Sequence, residues 1–532
     1  MDLAAPLPGL GADIAPLDLG IIALYALVVV AIGVQVSRSV ETGEDLFLAG
    51  RSLGWPAIGG SLFASNISST TLIGLAGAAY TSGIAVSAYE WMAGVVLVFM
   101  AVFFLPIYLR ARISTVPEYL QLRYDRRSRL YFSAVTVLLS ILVDTAGGIY
   151  AGAVTLQVFF PGLELWSTCI ALALFAGLYT AIGGLKAVVF TDVIQAAVLI
   201  LGSALLTVLV FAEHGFSWSA ATAPLPEGHL SLIRPIGSGD LPWLGLIVGV
   251  PVLGFWYWAA NQYITQRVLG ARSLRDAQWG ANLGGALKLL PLFIMVLPGA
   301  MAVGLFPDLE NGDEVFPTLV AEILPVGLTG LVLAGLAAAI MSSIDSTLNS
   351  SSTLIVKDFV ETDARRLAPR TLRNLGRLVT LGLMTVAAIW APLIDRFGGL
   401  FDYLQQAFSI LVPPVAVLFL LGAFQRRGGG RTALRTLIAG HALGAALFVA
   451  TQAGWWPYHF TINVGVMTAV SALIYLAHAL AEPAPESARD DALVWRPGAL
   501  ETREGDLPPL RRPSLQGLAI LAVTAVMVAA FA

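Results

Sequence analysis

Charge is what this 532-residue sequence has least of. Only 12% of its residues are Asp, Glu, Lys or Arg, half the share usual in a soluble domain. It has a single cysteine, Cys169, inside an apolar run, so no internal disulfide can form and a small core residue is expected there. No basic stretch precedes the first apolar run, where Met1–Pro16 carries Asp2 and Asp13 instead; that run is read as a membrane helix and not as a cleaved signal. Against these shortages stand 57% hydrophobic residues and a mean hydropathy of +0.80. One soluble domain cannot bury so much apolar side chain, because its surface must still be covered. A soluble enzyme, a nucleic-acid binder and a secreted disulfide scaffold are thereby excluded. A polytopic all-α membrane protein remains.

Fourteen apolar segments run from Leu19–Val36 to Leu515–Ala530, each about 20 residues long and so able to cross roughly 30 Å of hydrocarbon. Lys and Arg divide sharply between the loops that join them. Loops after odd-numbered segments hold 27 of the 30, the opposite loops hold only Arg234 and Arg396, and Lys288 lies inside a segment. Basic residues stay on the cytoplasmic side, so this split predicts both termini outside the cytoplasm. The long hydrophilic stretch Glu482–Pro513, rich in Pro, Glu and Arg, reads as a cytoplasmic linker before a peripheral last helix.

Ionisable groups at bilayer depth are costly and mark function or a paired structural charge. They are Glu90, Asp144, Asp192, Lys288 and Asp345, with Asp402 at an outer helix end. Segment 2 carries Ser65-Asn66-Ile67-Ser68-Ser69-Thr70-Thr71 at its midpoint. Such a polar run cannot face lipid and competes for backbone hydrogen bonds. It predicts a broken helix whose freed carbonyls bind a cation, or else a polar seam between helices. In segment 9, Ser342, Asp345, Ser346 and Asn349 share one helix face. Their oxygens suit an alkali cation, and with His and Cys absent a transition metal is excluded. Segment 7 carries Phe255-Trp256-Tyr257-Trp258, core packing or a platform for a ligand ring.

These residues resemble the solute:sodium symporter family, in its sodium/sugar cotransporter branch. The likeness spans Asp45 to Phe424, and its markers are Asp45–Arg51, Asn66-Ile67-Ser68, Tyr89-Glu90-Trp91-Met92, Gly183–Val188 with Thr191-Asp192, Gln262 with Gln266-Arg267, Leu287-Lys288, Ser342-Ser343 and Leu400–Gln405. The resemblance implies a LeuT-type fold of two inverted five-helix repeats, residues 55–212 and 241–424. Around them would lie a tail, extra helix and loop at 1–54, two peripheral helices at 425–481, the linker 482–513 and the last helix 514–532. It implies a sodium site on the carbonyls of Ala64, Ile67 and Ala339 and the hydroxyls of Ser342 and Ser343. A second sodium would use Asp192 and Ser346. Asn66, Thr71, Glu90, Tyr257, Trp258, Lys288 and Gln405 would bind the solute, with Tyr257 as an inner gate.

The expected activity is sodium-coupled symport of a small polar solute, a sugar first, across the cell membrane. Sodium is the coupling ion; no organic cofactor, no nucleic acid and no catalytic constellation is expected. Two other readings stay open. One is symport of another solute, such as an inositol, amino acid, vitamin or short carboxylate. The other is a ligand sensor that does not transport, against which the absence of a large signalling domain counts.

Overall fold

The computed structural model describes residues 14–37, 49–179, 185–237, 240–360, 369–482, 492–496 and 507–532. These are helical, with two isolated bridges, Leu53 to Ala271 and Arg234 to Pro242, as the only β pairing among the described residues. In chain order the main helices are α1 Pro16–Ser37, α2 Trp55–Asn66, α3 Ser69–Ser82, α4 Ile84–Arg110, α5 Arg126–Phe159, α6 Leu165–Tyr179, α7 Leu185–Glu213 and α8 Trp243–Ala260. They continue with α9 Gln262–Leu269, α10 Leu274–Leu305, α11 Leu328–Val360, α12 Pro369–Trp390, α13 Leu400–Phe424, α14 Gly430–Gln452, α15 Phe460–Ala481 and α16 Pro513–Ala530. Among the described residues ten helices are long and apolar enough to cross a membrane, eleven if α2 and α3 are one bent span. The other three expected segments fall on shorter apolar stretches, Pro16–Val28, Leu165–Leu174 and Ala197–Glu213. Fourteen crossings therefore remain an expectation.

The helices start where local chemistry satisfies their free amides. Asp125 accepts from Ser128 N at 2.8 Å to open α5, and Ser273 accepts from Asp276 N at 3.0 Å to open α10. Helices α2, α3, α4, α8 and α10 pack into one group, and α5, α6, α11 and α12 into another. Helix α7 bridges them, lying on α2 and α11, while α13 lies on α3 and carries α14 and α15 on its outer side. Helix α10 touches both halves of the broken span, and glycine permits each contact. A Cβ on Gly280 would lie 2.5 Å from Ile58 of α2, and one on Gly299 would lie 2.4 Å from the Ala76 carbonyl of α3. Such backbone approach replaces the hydrophobic drive that lipid does not supply.

Burial divides into two large apolar cores. They adjoin at Tyr89 and Leu404, which pack against both. The polar residues singled out in the sequence collect between them. Cys169 is fully buried.

Two local contacts lie outside the spans. The stretch expected to be a linker is tethered in its middle. Leu493 and Val494 are buried, Trp495 N donates to Ala423 O at 2.8 Å, and the Trp495 ring sits 5.2 Å from that of Phe103. A short apolar triplet inside a charged tract has found a helix end to cover. Residues 483–491 and 497–506 lie outside the described residues. In addition, two arginines counted as loop charges are buried. The Arg123 guanidinium donates to the carbonyls of Gly422, Gln425 and Gly428 at 2.8–3.0 Å, closing the C-terminal end of α13. Arg267 Nε donates to Ser61 Oγ at 3.0 Å, joining α9 to α2.

Candidate functional site

The α2–α3 span bends by 56° at Ile67 and Ser68. Ile67 leaves the helical region and Ser68 is extended. The Ser68 amide bonds Asn66 O at 2.8 Å, so the Ala64 carbonyl does not receive it as the next helical turn would require. Thr71 Oγ1 also donates to Asn66 O. Facing this break is a small cavity lined by Ala64, Ser65, Gln195, Tyr263, Arg267, Ala339, Ser343 and Ser346. Four expected ion-site residues meet there, namely Ala64, Ala339, Ser343 and Ser346. Ile67 is buried but is not part of that wall. The side chains of Ser342, Asp192 and Asp345 lie outside the described residues.

A larger cavity lies beside Asn66. Its wall includes Asn66, Thr70, Thr71, Tyr89, Glu90, Asp144, Leu253, Tyr257, Trp258, Phe401, Leu404, Gln405 and Phe408. Six of the seven expected solute residues are in it. The seventh, Lys288, stands just behind. It lies at a break in α10, where the helical run Leu274–Leu287 ends, and is fully buried. Its ammonium donates to Glu90 Oε2 and Asn66 Oδ1 and lies 5.3 Å from the Trp258 ring. A buried ammonium needs such company, because an unpaired one would cost several kcal/mol.

Tyr257 and Trp258 sit in a π-helical turn, Trp256–Ala260, that ends α8. Asp144 sits in another, Ser140–Thr145, inside α5. Such turns displace a side chain from the helical register and recur at functional positions. Tyr257 Oη lies 3.3 Å from Tyr263 Oη, and the Tyr263 hydroxyl donates to the Ser65 carbonyl. A chain of two tyrosines thus links the larger cavity to the smaller one.

The sequence model of the Sodium:solute symporter family matches residues 46–440. The chain belongs to that family. Sodium/glucose cotransporter 1 of Oryctolagus cuniculus is 36% identical over 475 residues, 81% of this chain and 72% of the relative. Sodium/mannose cotransporter SLC5A10 of Bos taurus is 36% identical over 537 residues, 91% of this chain and 90% of the relative. Among solved structures, a substrate-bound, outward-open Na+-coupled sialic acid symporter matches with a TM-score of 0.76 at 22% identity, covering 89% of this chain and 100% of that one. Mhp1, a nucleobase-cation-symport-1 family transporter in a closed conformation, matches at 0.56 and 15% identity, covering 85% and 99%. The symporter shares their LeuT-type architecture.

Several wall residues of the symporter had no sequence signal. Gln195 is buried in α7 and lines the smaller cavity; it is polar but uncharged, and so passes a search for ionisable groups. Tyr263 stood at the end of a segment. Leu253 and Phe408 are side chains that any helix seam contains.

Proposed function

We propose that this symporter imports a sugar together with sodium by alternating access across the cell membrane, with both termini on the outer side. Residues 55–212 and 241–424 act as its inverted repeats. Sodium binds at the smaller cavity, where the Ala64 and Ala339 carbonyls and the hydroxyls of Ser342 and Ser343 supply hard oxygen donors; Ile67 completes the set, and Asp192 with Ser346 is the place for a second ion. The solute binds in the larger cavity. Gln405, Thr71, Asn66 and Glu90 exchange hydrogen bonds with its hydroxyls, Lys288 pairs with Glu90, and the faces of Tyr257 and Trp258 cover the apolar ring face.

The observation that carries this reading is the adjacency of the two cavities across one helix break. The break places Ala64 and Ser65 in the wall of one and Asn66 in the wall of the other. Sodium held by the carbonyls fixes the bend, and the bend fixes Asn66 and through it Lys288. One charge crossing about 100 mV releases about 2.3 kcal/mol, and a tenfold sodium gradient adds about 1.4 kcal/mol. Together they support accumulation on the order of 500-fold. The test is uptake of radiolabelled glucose and mannose into proteoliposomes under an inward sodium gradient. Uptake that equals the potassium control refutes the coupling.

A further inference from the structure

The larger cavity holds one more carboxyl group than the Glu90–Lys288 pair accounts for. Glu90 and Lys288 cancel each other and are joined through Asn66. Asp144 lines the same cavity, yet among the described residues no hydrogen bond or ion pair reaches its carboxylate. Its position is held firmly. Thr145 Oγ1 bonds Ser140 O and Thr347 Oγ1, both at 2.8 Å, and Tyr403 Oη donates to Leu142 O at 2.5 Å. The π-helical turn is pinned on both sides of the carboxylate. Among the described residues no Lys or Arg lines the cavity wall, and Lys288, behind it, is bonded to Glu90 and Asn66.

A carboxylate held in a half-dry cavity without a partner costs free energy that an incoming group can recover. A hydroxyl recovers part of it. An ammonium recovers more, through a charge-assisted hydrogen bond. A ligand carboxylate would face a like charge and be rejected. We infer that Asp144 sets the specificity of the solute cavity, favouring a sugar that carries a protonated amine over its neutral counterpart and excluding a uronic acid. The inference rests on the sugar-symport reading and narrows it to amino sugars.

The experiment compares sodium-dependent uptake of D-glucosamine, D-glucose and D-glucuronate by the parent protein and Asp144→Asn, at a pH below the pKa of the sugar's amine. The parent prefers glucosamine over glucose by about tenfold or more, the worth of one charge-assisted bond. Asn, of the same shape but without charge, removes that preference and admits glucuronate. The parent's own glucosamine-to-glucose ratio needs no variant, so a misfolded Asn protein does not spare the proposal. Intact glucose uptake with a ratio near one in the parent overturns it. So does an unchanged ratio in Asp144→Asn accompanied by a lower sodium Hill coefficient, which would make Asp144 an ion ligand. Absence of sodium-dependent uptake for all three sugars refutes the underlying sugar reading instead, and is recognised by that.

Discussion

Removing one charge of the Glu90–Lys288 pair should do more harm than removing both. Lys288 is fully buried and Glu90 is 5% exposed. Lys288→Met leaves a carboxylate at depth without its ammonium and takes the donor from Asn66 Oδ1. Breaking a buried pair from one side costs about 3–5 kcal/mol, whereas replacing both charges by neutral groups of similar volume costs little or nothing. The double variant Glu90→Gln with Lys288→Met should therefore melt close to the parent, and each single variant well below it, as read by thermal unfolding in detergent. The coupling should exceed about 1.5 kcal/mol, since the two side chains touch. Sugar affinity should behave differently. The double variant recovers the fold but not the ionised hydrogen-bonding groups, each worth about 1.5–3 kcal/mol or roughly tenfold to a hundredfold in binding. Additive melting shifts would refute the claim of an ionised pair. A double variant that binds sugar as the parent does would make the pair structural and remove it from the solute site.

Four other outcomes are expected. Ser343→Ala should raise the sodium concentration for half-maximal uptake by about tenfold, the worth of one donor; an unchanged requirement takes α11 out of the ion site. Tyr263→Phe, which removes the hydroxyl lying between Tyr257 and the Ser65 carbonyl, should leave each ligand able to bind alone but reduce the factor by which sodium tightens sugar binding, and by reciprocity the factor by which sugar tightens sodium binding; equal coupling in both proteins refutes the link. Asp313, in the loop between α10 and α11, accepts from Leu400 N at 2.8 Å, and burial raises its pKa to about 6. A folded pKa above the unfolded one means that this group favours folding below pH ~4 and loses that contribution as pH rises through about 6. Asp313→Asn should thus gain stability relative to the parent at pH 7 by up to about 3 kcal/mol and lose that advantage near pH 4; a pH-independent difference in melting temperature contradicts it. Arg123→Lys cannot reach three carbonyls with one ammonium and should destabilise the protein by about 3 kcal/mol, whereas a melting temperature equal to the parent's would show that the α13 end closes without it.

How much was readable follows from what lipid forbids. Helix positions were legible because a backbone in hydrocarbon must bond to itself, and an apolar run of the right length has one solution. The break at Ile67 and Ser68 was legible for the opposite reason: six polar residues in eight have no business at that depth unless the helix opens. Glu90 and Lys288 stood out as charges, and Tyr257 with Trp258 as clustered rings. Gln195 and Tyr263 did not stand out, because neither is charged and each acquires its place only through α7 and α9 coming to rest beside α2 and α11. Arg123 and Arg267 lie between spans as the count placed them, but their burial was not legible. A guanidinium offers five donors in a fixed fork, so it can be buried wherever carbonyls or hydroxyls collect, and a rule that assigns arginines to loops cannot see those acceptors from the sequence.

The same reasoning explains why the residues proposed for ion and solute are far apart in the chain yet adjacent in space. A cation in a low-dielectric interior needs several oxygens converging within a few ångströms, and one continuous helix cannot supply them, since its carbonyls all point along its own axis and are already bonded. Only an interrupted helix meeting a second element can do so. Once α2 is interrupted, its free carbonyls and its displaced Asn66 leave the break in different directions. Ala64 and Ser65 line the cavity shared with α11, whereas Asn66 lines the other and accepts from Lys288 of α10, which also bonds Glu90 of α4. If ion and solute fill the two cavities as proposed, whichever arrives first sets the angle of the bend they share and the second finds it set. Cooperative binding would then follow from where six polar residues interrupt an apolar run.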